Sequence, residues 1–327
     1  MERVTNTGDL VSAAAIDGAA AEGAGAPLAH RISPPLASGS RVGALRDYLA
    51  LTKPRIIALL LVTTVATMFV ADPSGPAAAT VLWTIIGGYL AAGGAGAINH
   101  YLERDRDARM ARTCGRPLVA GRIEPRHGLL FGISLGALAI AELALAVNPL
   151  TAALALAGLL GYVFVYTLWL KPRTPQNIVI GGAAGAVPPL VGWAAATGGL
   201  SWDALYPFAV VFLWTPPHFW ALALLVKDDY ERVGVPMLPV ARGEAATRRE
   251  ILAYTVALVA FTAIPFFTGL FGAPYLGTAL VLGGGFIALA ARLVLHPSRE
   301  AAVRLHLASL AYLALLFAAM AADRLLG

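Results

Sequence analysis

Three residues with oxygen-bearing side chains, Asn99, Glu103 and Asp107, recur at four-residue intervals where a long apolar segment ends. On an α-helix, residues spaced in this way lie along one face. Arg112 and Arg116 follow closely, and planar guanidinium groups bind phosphate through paired hydrogen bonds. Carboxylates beside guanidinium groups suit a magnesium-bound diphosphate. The segment therefore predicts a diphosphate site, with an ordinary solvated helix end as the alternative.

A second acidic cluster, Asp228 and Asp229, follows another apolar segment and is flanked by Lys227 and Tyr230. Two acidic segments that face each other can hold magnesium ions on one diphosphate. The candidate metal ligands are Glu103, Asp107, Asp228 and Asp229. Lys227 and Tyr230 are candidate substrate-binding residues, and a solvated loop is the alternative for this segment.

Basic residues also follow a third apolar segment, where Lys171 and Arg173 precede Asn177. Both cations can bind diphosphate oxygens or a substrate carboxylate, and Asn177 adds a neutral hydrogen-bonding group. We predict that all three residues bind substrate. The alternative is that the cations only anchor the chain at a membrane surface.

One histidine, His218, lies inside an apolar segment directly after Pro216 and Pro217. Ionisable groups within a membrane span usually face a cavity or a partner. His218 is therefore a candidate catalytic residue that can ligate iron or move a proton. A simple hydrogen bond to a neighbouring helix is the alternative for a lone histidine.

The composition predicts an integral membrane protein, since 58% of the 327 residues are hydrophobic, only 13% are charged and the mean hydropathy is +0.71. A soluble domain carries about a quarter charged residues. Apolar runs of about 20 residues, the length that spans a bilayer, predict an all-α bundle of nine transmembrane helices. They fall at about 55–72, 80–99, 127–147, 149–169, 177–197, 203–225, 250–271, 274–295 and 302–322.

The positions of the basic residues predict the orientation in the membrane. With the N-terminus in the cytoplasm, all of the 24 Lys and Arg residues except Arg324 lie in or beside cytoplasmic segments, as the positive-inside rule requires. This bias accounts for the basic pI of about 9.5 without a nucleic-acid partner. We expect a multi-pass protein of the inner membrane, with a disordered leader over 1–45 and one transmembrane domain over 46–327.

The longer motifs resemble the UbiA-type intramembrane prenyltransferases. The first runs Asn99-x3-Glu103-x3-Asp107-x2-Met110-x-Arg112-Thr113-x2-Arg116-Pro117-Leu118. Three further strings resemble the branch of this family that farnesylates protoheme IX. They are Lys171-Pro-Arg-Thr-Pro-Gln-Asn177, Trp214-Thr-Pro-Pro-His-Phe-Trp220 and Asp228-Asp-Tyr-x3-Gly-x-Pro-Met-Leu-Pro239.

This resemblance implies nine helices around a central cavity that both acidic loops cap from the cytoplasm. It implies farnesyl diphosphate and heme b as substrates, heme o as product and magnesium as cofactor. A downstream heme-modifying enzyme or an oxidase is a candidate partner, and the sequence does not say which of them receives the product. Asn99, Glu103, Asp107, Asp228 and Asp229 would serve the metal and the diphosphate. Arg112, Arg116, Lys171 and Arg173 would bind diphosphate, and His218 would belong to the heme side.

The sequence departs from the family pattern at two places. Glu103 stands where the family usually has aspartate, and Arg232 stands where a second Asp-x3-Asp would end. Three other functions are open on the residues alone. A related prenyltransferase for an aromatic or quinone-precursor acceptor would share the acidic motifs, and a secondary transporter of an anionic lipid or metabolite also uses charged groups in broken helices. A structural heme-binding assembly factor would need axial ligands but no diphosphate machinery.

Overall fold

The computed structural model describes residues 41–326, which are mostly helical, with no β-strand among them. The predicted leader, 1–45, lies outside this range except for its last residues, which begin the first helix. In chain order the helices are α1 (Arg41–Thr52), α2 (Pro54–Ala71), α3 (Ala78–Asp107), α4 (Pro125–Ala146), α5 (Pro149–Leu160), α6 (Asn177–Thr197), α7 (Leu205–Leu225), α8 (Lys227–Arg232), α9 (Leu238–Ala241), α10 (Glu244–Phe267), α11 (Ala273–Leu295) and α12 (Arg299–Leu326). A π-helix over Gly161–Leu170 continues α5, and a 3-10 turn over Trp202–Ala204 precedes α7.

Within the described range, nine helical segments are long and apolar enough to cross a membrane, which confirms the nine predicted spans. Seven of these spans are the single helices α2, α3, α4, α6, α10, α11 and α12. The other two are α5 continued by its π-helix and α7 together with the 3-10 turn that precedes it. The chain is therefore a multi-pass, all-α membrane protein. Tight turns at Asn148–Pro149 and at Gly272–Pro274 separate neighbouring spans, because α5 begins at Pro149 and α11 at Ala273.

Helix α3 is longer than the apolar pattern predicts, since it continues past residue 99 to Asp107. Hydropathy detects only the lipid-compatible part of a helix. The polar extension persists because Asn99, Glu103 and Asp107 are buried against other parts of the protein, with at most 5% of each residue exposed. This extension carries Asn99, Glu103 and Asp107, which we call the acidic stripe, into the interior of the protein.

Close helix contacts at small residues hold the first half of the bundle together. A side chain at Gly94 of α3 would lie 2.7 Å from the carbonyl oxygen of Gly132 on α4. At Gly192 of α6, the carbonyl oxygen of Thr64 on α2 occupies the space that a Cβ atom would need. Small residues allow such approach, and dispersion contacts then stabilise the pair within the bilayer.

Two prolines in α7 interrupt the main-chain hydrogen bonds of this helix without ending it. Pro216 and Pro217 both lie inside the continuous span Leu205–Leu225. Both are buried, so packing from neighbouring helices supports the segment where the backbone bonds are missing. The same is true of Pro189 in α6, which is buried within that helix.

Candidate active site

A cavity of about 300 Å³ lies where α3, the π-helix, α6 and α7 meet the segments that follow α3 and α7. Its polar wall includes six residues that the sequence analysis singled out, Asn99, Glu103, Asp107, Arg112, Arg116 and Lys171. Lys53 and Arg106, which it did not single out, also line this wall. Tyr162, Tyr166 and Tyr230 and several aliphatic side chains complete the lining. We call this space the polar cavity.

A chain of hydrogen bonds crosses the polar cavity and explains the spacing of the acidic stripe. Lys53 Nζ donates to Asn99 Oδ1 at 2.7 Å, and Asn99 Nδ2 donates to Glu103 Oε2 at 2.9 Å. Lys171 Nζ then donates to Glu103 Oε1 at 2.5 Å. Because Asn99 and Glu103 are one helical turn apart, their side chains can join cations from two different segments.

A second ion pair lies one turn further along α3, where Arg116 Nη1 donates to Asp107 Oδ2 at 2.5 Å. The loop that carries Arg116 folds back over the helix end because Thr113 Oγ1 donates to the main-chain carbonyl of Asp107 at 2.9 Å. Asp107 is therefore paired with Arg116, and Glu103 is paired with Lys171 and lies 4.0 Å from Arg106.

The π-helix places Thr167 and Lys171 beside the acidic stripe. Its wider turn is marked by two bonds across five residues, from Thr167 Oγ1 to the Tyr162 carbonyl at 2.9 Å and from Lys171 N to the Tyr166 carbonyl at 2.9 Å. Thr167 Oγ1 accepts from Asn99 Nδ2 at 3.2 Å. π-Helical turns are rare and concentrate at functional sites, and here the turn rotates side chains toward the polar cavity.

The second acidic cluster divides into one buried and one exposed residue. Asp229 accepts main-chain N–H bonds from Ala111 at 3.0 Å and Arg112 at 3.3 Å, and it pairs with Arg232 at 3.0 Å. Asp229 therefore pins the loop after α3, whereas Asp228 is exposed. Neither residue lines the polar cavity, and their prediction as metal ligands stays a prediction.

The structure does not bring every predicted residue to the polar cavity. Arg173 donates to the carbonyls of Leu168 and Trp169 at 2.9 and 3.0 Å and so caps the π-helix. Lys227 Nζ lies 3.3 Å from Glu244, and Asn177 Nδ2 donates to the Thr174 carbonyl at 2.5 Å at the start of α6. Tyr230, in contrast, is buried and lines the cavity.

His218 lies on α7 and packs against α12, outside the lining of the polar cavity. Its Nδ1 lies 2.7 Å from Ser309 Oγ, which itself donates to the His306 carbonyl at 2.6 Å. The serine oxygen therefore accepts from an Nδ1–H group. The rings of Trp214 and His306 stack on His218 at 4.1 and 4.4 Å. His218 therefore makes the hydrogen bond to a neighbouring helix that the sequence analysis gave as the alternative to a catalytic role.

Lys53 is a site residue that the sequence interpretation missed. It precedes Pro54 at the start of α2 with φ 59°, and it is the one non-glycine residue with positive φ within 41–326. Such strain persists only where the surroundings enforce it. Burial lowers the pKa of Lys53 from 10.5 to about 7, and the nearby charge of Arg116 acts in the same direction. The left-handed conformation at the edge of a span has no sequence marker.

Two carboxylates, one amide and several cations around one cavity fit a metal-bound diphosphate. Magnesium in such sites usually takes one or two carboxylates together with substrate phosphates and waters. No group of three or more His, Cys, Asp and Glu residues able to hold a metal occurs within the part of the chain that the structure describes. The substrate would therefore have to complete the coordination of an ion at Glu103 and Asp107.

Comparison with known proteins defines the class of this protein. A sequence model of the UbiA prenyltransferase family matches residues 60–320, and the chain belongs to that family. A solved structure from work on digeranylgeranylglyceryl phosphate synthase in membranes is 18% identical and superposes with a TM-score of 0.71, covering 86% of this chain and 99% of the other. A UbiA homolog from Archaeoglobus fulgidus bound to GPP and Mg2+ is also 18% identical, with a TM-score of 0.59 and coverage of 84% and 99%. These two likenesses show the fold.

Within the family the chain groups with the protoheme IX farnesyltransferases. The relative of that name from Symbiobacterium thermophilum is 54% identical over 85% of this chain and 94% of its own length. The one from Alkalilimnicola ehrlichii is 50% identical over 85% of this chain and 92% of its own length. The one from Roseiflexus sp. (strain RS-1) is 52% identical over 86% of this chain, which spans only about half (52%) of that relative.

Proposed function

We propose that this protein transfers a farnesyl group from farnesyl diphosphate to a vinyl group of heme b, giving heme o and diphosphate. The bond between farnesyl C1 and the diphosphate oxygen breaks, and the leaving group takes the electron pair. The vinyl group attacks C1, water adds to the resulting cation beside the porphyrin ring, and the water loses a proton. The observation that carries the proposal is a polar cavity whose paired carboxylates and cations suit a diphosphate, in a chain about half identical to protoheme IX farnesyltransferases.

The cations of the polar cavity would stabilise the departing diphosphate. In this structure Lys171 is paired with Glu103, and Arg116 is paired with Asp107. When the donor binds, each cation would bind phosphate oxygens in place of its carboxylate partner. Lys53 approaches from α2 on the same side of the stripe. Charges that are already oriented in a site with little water lower the barrier most, because they need little reorganisation as the leaving group forms.

Glu103 and Asp107 would hold the magnesium ion. When bound, magnesium would neutralise part of the charge that develops on the diphosphate. Asn99 would orient Glu103 through its amide, since it donates to Glu103 and accepts from Lys53. Asp229 would act at a distance by fixing the loop that carries Arg112 and Arg116. We retain Asp228 as a candidate metal ligand.

The remaining predicted residues would act around this centre. Tyr230 would contact substrate directly, because it lines the polar cavity. Arg173, Asn177 and Lys227 would position the two segments that cover the site, given their bonds to neighbouring main chain and to Glu244. His218 would serve the heme side, where its Nδ1–H bond to Ser309 leaves Nε2 as the unprotonated nitrogen.

We further propose that the polar cavity faces the cytoplasm and that the protein lies in the bacterial inner membrane. The support for the orientation is the distribution of Lys and Arg along the sequence, and the nine apolar spans within the described residues support the membrane location. All three cations that would bind diphosphate lie within the segments that this rule places on the cytoplasmic side.

A product assay with two matched aspartate variants tests the proposed reaction. Purified protein is incubated with heme b, farnesyl diphosphate and magnesium, and the extracted hemes are analysed by mass. We expect a heme heavier by one farnesyl group and one water, greatly reduced in Asp107→Asn. Asp105→Asn, in the same helix but with 85% of its side chain exposed, should match the unmodified protein. Intact heme b from folded protein would refute the heme acceptor and direct the assay to aromatic acceptors.

A further inference from the structure

Another cavity, of about 210 Å³, lies among the ends of α7, α10, α11 and α12. Half of its lining is polar and half is aliphatic. The polar residues are Glu244, Arg248, Ser298 and Arg299, and the aliphatic ones are Leu224, Leu225, Leu293 and Ala302. None of these residues lines the polar cavity, so the proposed reaction leaves this space without a ligand. We call it the basic cavity.

The basic cavity lies on the same side of the membrane as the polar cavity. Helix α7 ends at Leu225, and the helix that follows it, α8, carries Asp229, which bonds the loop after α3. Helices α10 and α12 begin at this same side, at Glu244 and Arg299. Lipid headgroups lie at the ends of membrane-spanning helices. The proposed orientation therefore places the basic cavity among the headgroups of the cytoplasmic leaflet.

Cations outnumber carboxylates at the basic cavity. Lys227 Nζ lies 3.3 Å from Glu244 Oε1, and Arg248 Nη1 lies 3.4 Å from Glu244 Oε2, so one carboxylate faces two cations. Arg299 is a third cation, and its Nη1 donates to the Leu225 carbonyl at 3.4 Å. A guanidinium has five N–H donors. Within residues 41–326, Arg248 and Arg299 use one hydrogen bond each.

The surroundings of Arg248 are the observation that indicates an anion. Only 18% of its side chain is exposed, whereas 48% of the Glu244 side chain is exposed. Charge-assisted hydrogen bonds are usually about 2.7–2.9 Å long, so the 3.4 Å contact satisfies this guanidinium poorly. A phosphate group in the cavity would supply shorter bonds, because its oxygens match the paired donors of a guanidinium.

The aliphatic half of the lining favours a phospholipid over a free phosphate. A free phosphate gains nothing from apolar walls, whereas the glycerol and first acyl carbons of a lipid would cover them. Leu293 in the lining is followed by Leu295, the last residue of α11, which is 72% exposed. An apolar path therefore leads from the cavity to the outer surface of the bundle. Basic pockets between transmembrane helices on the cytoplasmic side bind anionic headgroups in other proteins.

We propose that the basic cavity binds the phosphate group of an anionic phospholipid from the surrounding leaflet. Arg248 and Arg299 are the residues that bind the phosphate oxygens, and the aliphatic half of the lining contacts the glycerol and acyl carbons. The inference is independent of the proposed function, because it involves neither the prenyl donor nor its acceptor.

Lipid binding to three arginine variants tests this site. Native mass spectrometry of the detergent-solubilised protein measures the dissociation constant of the first lipid bound, with dioleoyl phosphatidylglycerol and the zwitterionic dioleoyl phosphatidylcholine as probes. Phosphatidylglycerol should bind more tightly. Arg248→Gln and Arg299→Gln should each weaken its binding about tenfold, because each removes a hydrogen bond between charged groups. Arg249→Gln, an equal loss of charge at an exposed position outside the lining, should match the unmodified protein.

A competition with inorganic phosphate distinguishes the two sources of a phosphate group. We expect phosphatidylglycerol to remain bound, since inorganic phosphate makes no use of the aliphatic lining. Ready displacement by inorganic phosphate would overturn the assignment to a lipid. Equal affinity for the two lipids, or equal weakening in all three variants, would overturn the site itself. Because Arg299 is exposed, Arg299→Gln keeps the test decisive even if Arg248→Gln does not fold.

Discussion

The charge on Lys53 makes a quantitative prediction about how donor binding depends on pH. Its amino group is buried beside Asn99, and its pKa is lowered to about 7. Only the protonated amine attracts a diphosphate, so the apparent dissociation constant is the intrinsic one divided by the charged fraction. That fraction is about nine-tenths at pH 6 and about one-tenth at pH 8. Donor binding should therefore weaken about tenfold over this range.

The sign of the effect follows from the direction of the pKa shift. The anion favours the charged amine and raises its pKa in the complex, so binding is strongest below about pH 7 and weakens as the pH rises above it. At pH 8 the complex should take up nearly one proton. Calorimetry with farnesyl S-thiolodiphosphate in buffers of different ionisation enthalpy measures both the affinity and the proton uptake.

Lys53→Arg provides the matched control, because the guanidinium stays charged throughout this range. The slope that remains in this variant belongs to ionisation of the ligand and of other groups, and the difference between the two proteins isolates Lys53. An unmodified protein that takes up no proton at pH 8, or that shares its whole pH profile with Lys53→Arg, would refute the assignment of Lys53 to the diphosphate.

Four further predictions concern the site, the fold and the orientation. Lys171→Met should raise the dissociation constant for the donor analogue by more than tenfold in calorimetry, because it removes a cation and the hydrogen bond that this cation donates to Glu103; unchanged affinity would contradict the role of Lys171. Asp229→Asn should lower product formation and speed limited proteolysis after Arg112 or Arg116, since it weakens the bonds that pin this loop; loss of activity with unchanged proteolysis would instead indicate a direct ligand role. Gly192→Ala should destabilise the protein by about 2–3 kcal/mol through overpacking against Thr64, seen as a lower melting temperature in detergent, whereas Gly185→Ala, with open space beside it, should not. Cys114, the single cysteine and an exposed one, should react with an impermeant maleimide in inverted vesicles and not in intact spheroplasts; the reverse pattern would invert the proposed orientation.

Hydropathy and helical spacing were enough to predict the nine spans and the acidic stripe. Lipid-compatible helices need about 20 apolar residues, and that requirement is visible in one sequence. The four-residue spacing of Asn99, Glu103 and Asp107 likewise fixes their common face before any tertiary contact forms. The family motifs then added the expected chemistry, which composition and spacing alone left open.

Features that depend on tertiary packing were not predictable from the sequence. The π-helix Gly161–Leu170 is uniformly apolar apart from its tyrosines and Thr167, and nothing in its composition marks the wider turn. Lys53 resembles an ordinary membrane anchor until the structure places it against Asn99. The stacking of His218 on His306 joins residues 88 positions apart, a distance at which local patterns carry no information.

The most direct test of the central claim is a structure of the protein with farnesyl S-thiolodiphosphate and magnesium bound. We predict that Lys53, Arg116 and Lys171 contact the diphosphate and that the ion lies at Glu103 and Asp107. A diphosphate bound elsewhere, with Lys171 and Arg116 still paired to Glu103 and Asp107, would contradict the account.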